Sequence, residues 1–496
     1  RLVMLTPVLL VPLLAAALLA LSGRLGEAVI RRIAIAAASV PLLLLVGCWL
    51  RFDPEGPLFQ LVTEVAWIPT LGVAFRLGID GIALALAGMS TLLFLAAIAW
   101  PADTGGRSHA YYAWLLFLEA VSLGVFLALD LLLFYVFFDL SLVGMYFLIG
   151  RWGHGDARRS ALKFFLYTLV GSLAFLLALI GLVLARDPIT FDMRALIDAQ
   201  PLAGAGLRAG LVFLGFVVGF GIKTPLVPFH TWLPPAHVDA PAPASTILAG
   251  VLLKLGTFGL VRIPLMMMAE TFARYAVVVG AVAVVSIVYG ALVALGQSHI
   301  KRRIAYTSVN HMGYTVLGIA SAAALAAEAP ARAVALTGAT VEMVAHGLIT
   351  GSLFLVTGVF WSRAEEYEMD AYGGLARRAP RLAVLTTLAA FASLGLPGLA
   401  GFVAEFQIFA GTFAVFPLLA AIGLLGILIT AALFLQLLQR VFLGEPTERW
   451  SNFADLGRTE TITLAVLAVL IVLIGVYPAW LLDVIHAAAT AIVGAG

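Results

Sequence analysis

Apolar stretches separated by short polar segments run along almost the whole chain. Each stretch holds roughly 20 residues, the length that an α-helix needs to cross the hydrocarbon core of a bilayer. We predict fourteen such helices, at residues 2–22, 29–50, 77–99, 109–129, 131–150, 160–185, 207–228, 241–261, 274–296, 303–322, 333–361, 382–412, 416–442 and 461–486. The pattern therefore predicts an all-α polytopic membrane protein.

The composition agrees with this fold class and excludes others. Of the 496 residues, 62% are hydrophobic and 11% are charged, more apolar surface than a water-soluble domain could hide. The net charge is +2, and no basic tract of the kind that follows phosphates is present, so we do not expect nucleic acid as a partner. The single cysteine, Cys48, excludes an internal disulfide and a thiolate-ligated iron–sulfur cluster.

The ends of the chain and the charges of its loops predict its topology. The run from Leu2 to Leu21 has no small-residue cleavage site and is long enough to span, so we expect a retained helix instead of a signal peptide. Lysine and arginine are roughly twice as frequent in loops after odd-numbered helices as in loops after even-numbered ones, and positive loops stay in the cytoplasm. Both termini are therefore expected on the non-cytoplasmic side.

Two of the predicted helices carry breaks. Pro225 and Pro228 interrupt the seventh helix directly after Lys223, because proline removes a helix hydrogen bond and clashes with the preceding turn. The glycine- and proline-rich stretch Leu394–Gly401 interrupts the twelfth helix just before Glu405. The five-helix separation places the two breaks in opposite orientations. Paired broken helices in inverted halves indicate a transport pathway, although chance glycine and proline in membrane helices could produce the same pattern.

Ionisable side chains within the predicted helices are the candidate functional residues. A charge at the middle of a bilayer costs about 2.5–3.5 kcal/mol, so each one needs a partner or a wet cavity. Burial can bring the pKa of a lysine or a carboxylic acid close to neutrality, which suits groups that exchange protons. The candidates are Glu119, Asp139, Lys223, Lys254, His311, Glu342, His346 and Glu405.

The spacing of these residues suggests how they interact. We expect Asp139 to be the counter-charge of a lysine, because two charges about 4 Å apart gain roughly 4 kcal/mol at an effective dielectric of 20. Glu342 and His346 are four residues apart and share one helix face, with His311 on the neighbouring helix. The residues alone leave open a relay of protons, structural ion pairs, or interhelical hydrogen bonds of the histidines.

The histidines near the first break also have two interpretations. His230 and His237 could take part in function or could be structural caps beside the prolines. A metal site formed by both histidines and Asp239 is not expected, because a spacing of seven fits one helical face poorly. A purely structural scaffold would bury many charges without benefit.

Several motifs resemble those of the antiporter-like subunits of respiratory complex I. The segment Lys223-Thr-Pro-Leu-Val-Pro-Phe-His-Thr-Trp-Leu-Pro-Pro-Ala-His237, continued to Leu253-Lys-Leu-Gly-Thr-Phe-Gly-Leu-Val-Arg262, resembles the signature of the group. Resemblance to its chain M family, the counterpart of mitochondrial chain 4, rests on Met145-Tyr-Phe-Leu-Ile-Gly-Arg-Trp-Gly-His154, Lys163-Phe-Phe-Leu-Tyr-Thr-Leu-Val-Gly-Ser172, Ala345-His-Gly-Leu-Ile-Thr350 and Gly401-Phe-Val-Ala-Glu-Phe406. The resemblance covers about residues 77 to 445.

The resemblance implies fourteen helices with two inverted five-helix repeats, each holding a broken helix. The expected units are residues 1–100 for helices 1–3, 105–262 for the first repeat, 270–445 for the second repeat and 446–496 for helix 14. By matching motif positions, the proton-path residues would be Glu119, Asp139, Lys223, Lys254, His311, His346 and Glu405. The family has glutamate where this chain has Asp139, so the shorter side chain is expected to loosen its contact with Lys223.

The family also implies a function. The expected role is a proton-translocating membrane-arm subunit of NADH–quinone oxidoreductase in the bacterial inner membrane, surrounded by lipid and beside the antiporter-like chains L and N. The chain itself is expected to bind no metal, flavin mononucleotide, iron–sulfur cluster or quinone, which would belong to partner subunits. The alternatives are a subunit of an Mrp-type cation/proton antiporter and a subunit of a membrane-bound hydrogenase.

Overall fold

Helices dominate the protein, which we describe from a computed structural model that covers residues 4–494. Leu2 and Val3, at the start of the first predicted span, lie outside the described residues. Within residues 4–494, ten helices are long and apolar enough to cross a membrane, and four shorter apolar helices accompany them. The predicted polytopic helical fold is therefore confirmed.

The helices follow the predicted spans closely. Those that correspond to predicted spans are α1 (Leu5–Ala20), α2 (Glu27–Arg51), α3 (Gly81–Ala99), α4 (Ser108–Leu127), α5 (Leu131–Trp152), α6 (Ala157–Val183), α8 (Leu207–Lys223), α10 (Ala242–Ile247) with α11 (Leu253–Leu260), α12 (Ala269–Leu295), α13 (Ile300–Ala323), α14 (Ala329–Ala364), α15 (Pro380–Ser393) with α16 (Ala400–Val415), α17 (Pro417–Val441) and α18 (Arg458–Val476) with α19 (Ala479–Gly494). Short α-helices in the connections are α7 (Met193–Ala199) and α9 (Leu233–Asp239).

The span formed by α10 and α11 lies at the centre of the molecule. Two π-helical segments, Leu248–Leu252 and Val261–Leu265, extend these helices into one continuous span of 24 residues. The whole span is buried by other helices, whereas the outer helices present apolar side chains to the surroundings. Short π-helical segments are frequent at functional sites, and Lys254 is the second residue after the first of them.

The first predicted break ends α8 at Lys223. The chain then passes through the two prolines before α9 begins at Leu233. The indole Nε1–H of Trp232 donates to the carbonyl of Ile222 at 2.9 Å, and Ser286 Oγ accepts from the N–H of Val227 at 2.9 Å. Side chains therefore replace the lost helix bonds, as an apolar environment requires.

The second predicted break separates α15 from α16. Gly395 and Gly398 have φ angles of +86° and +93°, which glycine adopts without the steric cost of a Cβ atom, and Pro397 lies between them. The carbonyl of Ser393 at the end of α15 lies 2.9 Å from Nε2 of His311. Both breaks thus place ionisable side chains beside interrupted backbone.

The last predicted span is not one helix. Pro478 separates α18 from α19, because its ring cannot continue the helix and it has no N–H to donate. Arg363 near the end of α14 pairs with Glu460 at the start of α18, and Arg332 near the start of α14 donates to the carbonyl of Val493 in α19. The two helices together run antiparallel to α14, so the expectation of a single continuous helix at 461–486 is wrong at Pro478.

A β-hairpin occupies a segment that we predicted as a loop. Strands β1 (Gln60–Ile68) and β2 (Val73–Ile79) pair in antiparallel register, with Glu64 opposite Arg76. Residues 77–79, predicted as the start of the third helix, belong to β2. The segment is rich in valine, isoleucine and aromatic residues, which favour strands. Its apolar and polar residues alternate irregularly, so the sequence pattern did not predict strands. Arg76 also pairs with the buried Asp130 at 2.6 Å.

The proposed unit boundaries at residues 100, 262, 270 and 445 remain a prediction. Within the described chain, α12 packs on α13 and α14 on α16, while α6 packs on α8 and α4 on α5. A buried ion pair at 2.7 Å joins Asp80, which caps the N-terminus of α3, to Arg262 in the central span. The N-terminal helices are therefore tied directly to the region that holds the first break.

Candidate functional site

The first cluster of ionisable residues lies where α8 ends. The ammonium group of Lys223 is buried, donates to Ser141 Oγ at 3.2 Å and lies 5.3 Å from the ring centre of Phe138. The carboxylate of Asp139 accepts from Ser172 Oγ at 2.6 Å. In the described structure, Lys223 and Asp139 have no nitrogen–oxygen contact within 4.0 Å, so they do not form the close pair that we considered.

The separation of this pair has a simple physical cause. Aspartate is one methylene shorter than glutamate, so its carboxylate stays closer to its own helix α5. Each charged group instead has a serine hydroxyl partner: Ser141 for Lys223 and Ser172 for Asp139. The two charges interact across a gap, which makes their attraction sensitive to small side-chain movements.

The second cluster begins at Lys254 in the central span. Its ammonium group lies 2.5 Å from Nδ1 of His346 on α14 and 2.5 Å from the carbonyl oxygen of Ala249. Nε2 of His346 lies 3.2 Å from Ser308 Oγ on α13. Lysine carries donors only, so His346 Nδ1 accepts and its Nε2–H donates to the serine. Lys254 and His346 are therefore placed for direct exchange of a proton.

The third cluster brings together His311, Glu342 and Glu405, all of them buried. Nε2 of His311 lies 3.9 Å from the nearest carboxylate oxygen of Glu405. One carboxylate oxygen of Glu342 has no hydrogen-bond partner among the described residues. The candidate ligand atoms of all three residues lie within 4.8 Å of one another. An imidazole with two carboxylates could bind a metal ion, and the same groups can share exchangeable protons.

Each ring nitrogen of His311 faces a backbone carbonyl. Nδ1 faces the carbonyl of Thr307 at 2.7 Å, and Nε2 faces the carbonyl of Ser393 at 2.9 Å. Both oxygens are acceptors, and a neutral imidazole can donate from one nitrogen only. The neutral form donates to one of the two carbonyls and the charged form to both, so His311 can hold one proton or two, with Glu405 nearby.

The second and third clusters form one continuous line across the protein interior. The rings of His311 and His346 are 5.6 Å apart between their centres. The narrow space between them is too small to hold a water molecule. Its lining residues are His311, Glu342, His346, Ile349, Thr350, Ala392, Ser393 and Gly401. Transfer along this line therefore needs rotation of side chains or opening of the break between α15 and α16.

The remaining predicted residues lie apart from this line. Glu119 on α4 is fully buried, and neither of its carboxylate oxygens has a hydrogen-bond partner among the described residues. His237 stacks on Phe354 at 4.3 Å between ring centres, and His230 lies beside Tyr289. Asp239 accepts from Ser160 Oγ at 2.5 Å. The contacts of these groups are thus with residues outside the line from Lys254 to Glu405.

Three serines in the site were missed from the sequence: Ser141, Ser172 and Ser308. Each one contacts an ionisable side chain on a different helix. A serine within a membrane helix is a common packing residue, so its presence alone does not distinguish a polar partner from a packing position. These serines could be recognised only if the ionisable side chain that faces each of them on the neighbouring helix were known.

Broken helices that carry a buried line of lysine, histidine and glutamate define an antiporter-like membrane protein. The family described as NADH:quinone oxidoreductase/Mrp antiporter, TM, matches residues 128–430, and the chain belongs to this family. Subunit M of NADH-quinone oxidoreductase from Rickettsia prowazekii is 38% identical over 442 residues, which are 88% of this chain and 87% of the relative. The corresponding subunit M from Rhodobacter capsulatus is 38% identical over 494 residues, covering 96% and 93% of the two chains.

Solved structures show the same architecture. A chain of respiratory complex I from Thermus thermophilus with bound NADH is 31% identical, with a TM-score of 0.87 and 99% of each chain covered. A chain of the Mrp complex from Dietzia sp. DQ12-45-1b has a TM-score of 0.86 at 21% identity over 99% of this chain and 98% of that chain, which shows the fold alone. The resemblance inferred from the motifs is confirmed.

Proposed function

We propose that the chain is a proton-translocating membrane-arm subunit of an NADH:quinone oxidoreductase. Relatives named subunit M match at 38% identity over most of the chain, which supports this hosting complex. The observation that carries the mechanism is the line from Lys254 through His346 and His311 to Glu405. Lysine, imidazole and carboxylic acid can each hold or release one proton, so the line can move protons without any redox chemistry of its own.

The contacts support a role for each member of the line. The Lys254 ammonium can pass its proton to His346 Nδ1, because these atoms lie 2.5 Å apart. His346 then has to release a proton towards His311, whose neighbour Glu405 takes or returns it. Glu342 lies one helical turn from His346, so its charge state changes the cost of charging both histidines.

The separated pair of Lys223 and Asp139 supplies the electrostatic control in this proposal. Approach of the two groups stabilises the ammonium ion, and separation makes loss of its proton easier. Lys223 and Lys254 lie on adjacent helices, since Gly256 of α11 packs against the backbone of Thr224. A change at the first break therefore reaches the central lysine through packed helices and through the field of the charges.

Other parts of the proposal concern the assembly. We expect chains L and N as neighbours, and flavin mononucleotide, iron–sulfur clusters and quinone in partner subunits. The single cysteine supports the view that this chain holds no cluster of its own. We place the complex in the bacterial inner membrane with both termini of this chain on the non-cytoplasmic side, which the distribution of lysine and arginine supports.

The proposal is tested with Lys223→Ala and Glu405→Ala in the intact complex, reconstituted into vesicles. We expect both variants to assemble and to lose most of the proton pumping that accompanies NADH oxidation. Glu445→Ala is the matched control, because the Glu445 side chain is 88% exposed and outside the membrane line. Full pumping by both variants would contradict the assigned roles.

The hosting complex is tested separately by purification. Flavoprotein and quinone-reactive subunits should accompany the chain if it belongs to an NADH:quinone oxidoreductase. A purely membrane-embedded assembly that exchanges cations for protons would instead indicate the Mrp-type alternative. Sequence identity favours the first outcome, since it is 38% to the two subunit M relatives and 21% to the Dietzia Mrp chain.

A further inference from the structure

An apolar groove lies between α2, α3, α14, α18 and the start of α19. It encloses about 360 Å³, and all of its lining residues are apolar. They include Leu45, Trp49, Leu92, Val344, Leu470 and Trp480. We propose that this groove binds one acyl chain of a phospholipid, with the phosphate headgroup beside Trp480 and Arg51.

The position of the groove identifies the class of its occupant. Four of its walls, α2, α3, α14 and α18, are candidate membrane-spanning helices, and α19 is a shorter apolar helix. Leu43 and Leu50 on α2 and Val469 on α18 are 69%, 81% and 65% exposed, so these helices face the hydrocarbon around the groove. A second membrane helix measures about 10–12 Å across and is too wide to enter a space of this volume. A flexible hydrocarbon chain without polar backbone groups fits it.

One end of the groove carries the polar groups that a headgroup needs. The Nε1–H group of Trp480 is buried and has no acceptor among the described residues. Buried donors are nearly always paired. Because protein atoms cover this N–H, the indole would have to rotate towards the groove for an ester or phosphate oxygen of a lipid to accept from it. The rings of Trp480 and Trp49 lie 5.8 Å apart, and tryptophan pairs of this kind occur at the level of lipid headgroups.

A cation lies just beyond the same end. Arg51 is the last residue of α2 and directly follows Leu50, which lines the groove. Among residues 4–494, its side chain donates to the thioether of Met4 at 3.1 Å, a weak acceptor. A guanidinium in this place complements a phosphate group in charge and in hydrogen-bond geometry.

Gly88 keeps the groove open in the middle of α3. A Cβ atom added there would meet no atom within 4 Å, although the residue lies between helices in a densely packed protein. A longer side chain at this position would therefore extend into free space without a clash with the backbone. The site can thus be filled by substitution without disturbing the fold.

The bound chain would also affect the proton line, a consequence that rests on the proposed function. Val344 and Leu348 form the floor of the groove on α14. Glu342 and His346 project from the opposite side of the same helix, because residues two positions apart point in nearly opposite directions. A hydrocarbon chain in the groove keeps water away from the back of the helix that carries the relay.

The test uses the intact complex in vesicles of phosphatidylethanolamine and phosphatidylglycerol that contain a phosphatidylglycerol with a photoactivatable acyl chain. After illumination, the labelled peptides are identified by mass spectrometry. We expect labelling of peptides from α2 and α3 that line the groove. Gly88→Leu should lose most of this labelling, whereas Leu177→Phe, which adds bulk at a lipid-facing position of α6 outside the groove, should retain it.

The headgroup contact has its own readout. Arg51→Gln should reduce the amount of phosphatidylglycerol that stays bound through purification, and Gly88→Ala serves as a milder filling variant if Gly88→Leu fails to assemble. Unchanged groove labelling in the filled variants, or cross-links from the groove to a protein neighbour only, would overturn the proposal. None of these measurements depends on pumping, so a failure here is distinct from a failure of the proposed function.

Discussion

The ammonium group of Lys223 donates a hydrogen bond to a hydroxyl group and has no direct contact with a carboxylate in the described part of the chain. Ser141 Oγ lies 3.2 Å from the ammonium group, while Asp139 turns towards Ser172. An isolated charge inside a membrane is costly, so the serines and the neighbouring Phe138 ring stabilise a pair that is not in direct contact. The arrangement leaves the two charges free to approach during turnover.

Substitutions of Asp139 test this interpretation. Asp139→Glu should retain pumping, because the added methylene lets the carboxylate reach further towards Lys223. Asp139→Ala should lose most of it, because the ammonium ion then has no counter-charge to approach. The measurement is the number of protons moved for each NADH oxidised in vesicles.

Asp370→Ala provides the control for removal of an acid, since the Asp370 side chain is 74% exposed and pairs with the surface residue Arg440. Equal pumping by Asp139→Ala and Asp370→Ala would show that the acid on α5 has no role.

The two interrupted helices place backbone groups and side chains where regular helices could not. At the break after α15, the ideal Cβ position of Gly395 is closer to a carboxylate oxygen of Glu405 than any normal contact allows. Gly398 has a similar positive φ, but nothing lies within 4 Å of its ideal Cβ position. Substitutions of the two glycines therefore distinguish the effect of backbone strain from the effect of contact with Glu405.

Gly395→Ala and Gly398→Ala form a matched pair. Both substitutions carry a backbone cost of about 1–2 kcal/mol for a residue with a Cβ atom at positive φ. Only Gly395→Ala also displaces Glu405, so it should reduce pumping strongly while Gly398→Ala mainly lowers the melting temperature. Similar pumping in the two variants would mean that the position of Glu405 is not critical.

Asp455, in the connection before α18, stabilises the start of α15. It accepts from the backbone N–H groups of Arg381, Leu382 and Leu456 at 2.8–3.0 Å. Burial raises the pKa of its carboxyl group, but these three donors and the nearby Arg381 side chain outweigh burial and lower the pKa below its ordinary value. The contact therefore favours the charged form in the folded protein.

This contact predicts a pH dependence of stability. Since the folded-state pKa is lowered, the stabilisation is present above the unfolded-state pKa and is lost as the pH falls through the folded-state value. Asp455→Asn should lower the free energy of unfolding at pH 7 by about 1 kcal/mol, as loss of other helix caps does, and should therefore lower the melting temperature. The difference in melting temperature between wild type and variant should become smaller at acidic pH. A difference that is constant with pH would contradict the stabilising role of the charged Asp455.

A buried ion pair joins separate parts of the molecule. Arg262 and Asp80 are 1% and 0% exposed, and they link the start of α3 to the end of the central span. Removal of one partner from a buried pair leaves an uncompensated charge and costs about 3–5 kcal/mol. The pair thus holds the N-terminal helices against the region that carries Lys254.

Asp80→Asn is accordingly expected to lower the melting temperature of the purified complex markedly or to reduce its assembly. Glu445→Gln at the exposed pair with Arg377 is the control and should have no measurable effect. Equal melting temperatures of the two variants would show that the buried pair does not stabilise the assembly.

Hydropathy and proline were sufficient to predict most of the helices and the breaks that follow Lys223 and precede Glu405. A membrane leaves few alternatives to the helix, and a proline within it has a predictable effect. The strands at residues 60–79 and the break at Pro478 were missed because short irregular strands and a proline near the end of a span give weak local signals. The ionisable candidates were also visible from the sequence, since a charge in an apolar stretch is rare.

Tertiary packing alone decided which of these residues meet. Lys254 and His346 are 92 positions apart, and their contact depends on the rotation of two helices about their axes. The same applies to Ser141 beside Lys223 and to the carbonyl of Ser393 beside His311. Hydropathy specifies that a helix spans the membrane but not which helix face meets which neighbour. The sequence therefore identified the ionisable residues of the line, and the packed structure determined their order along it and revealed buried pairs such as Asp80 and Arg262.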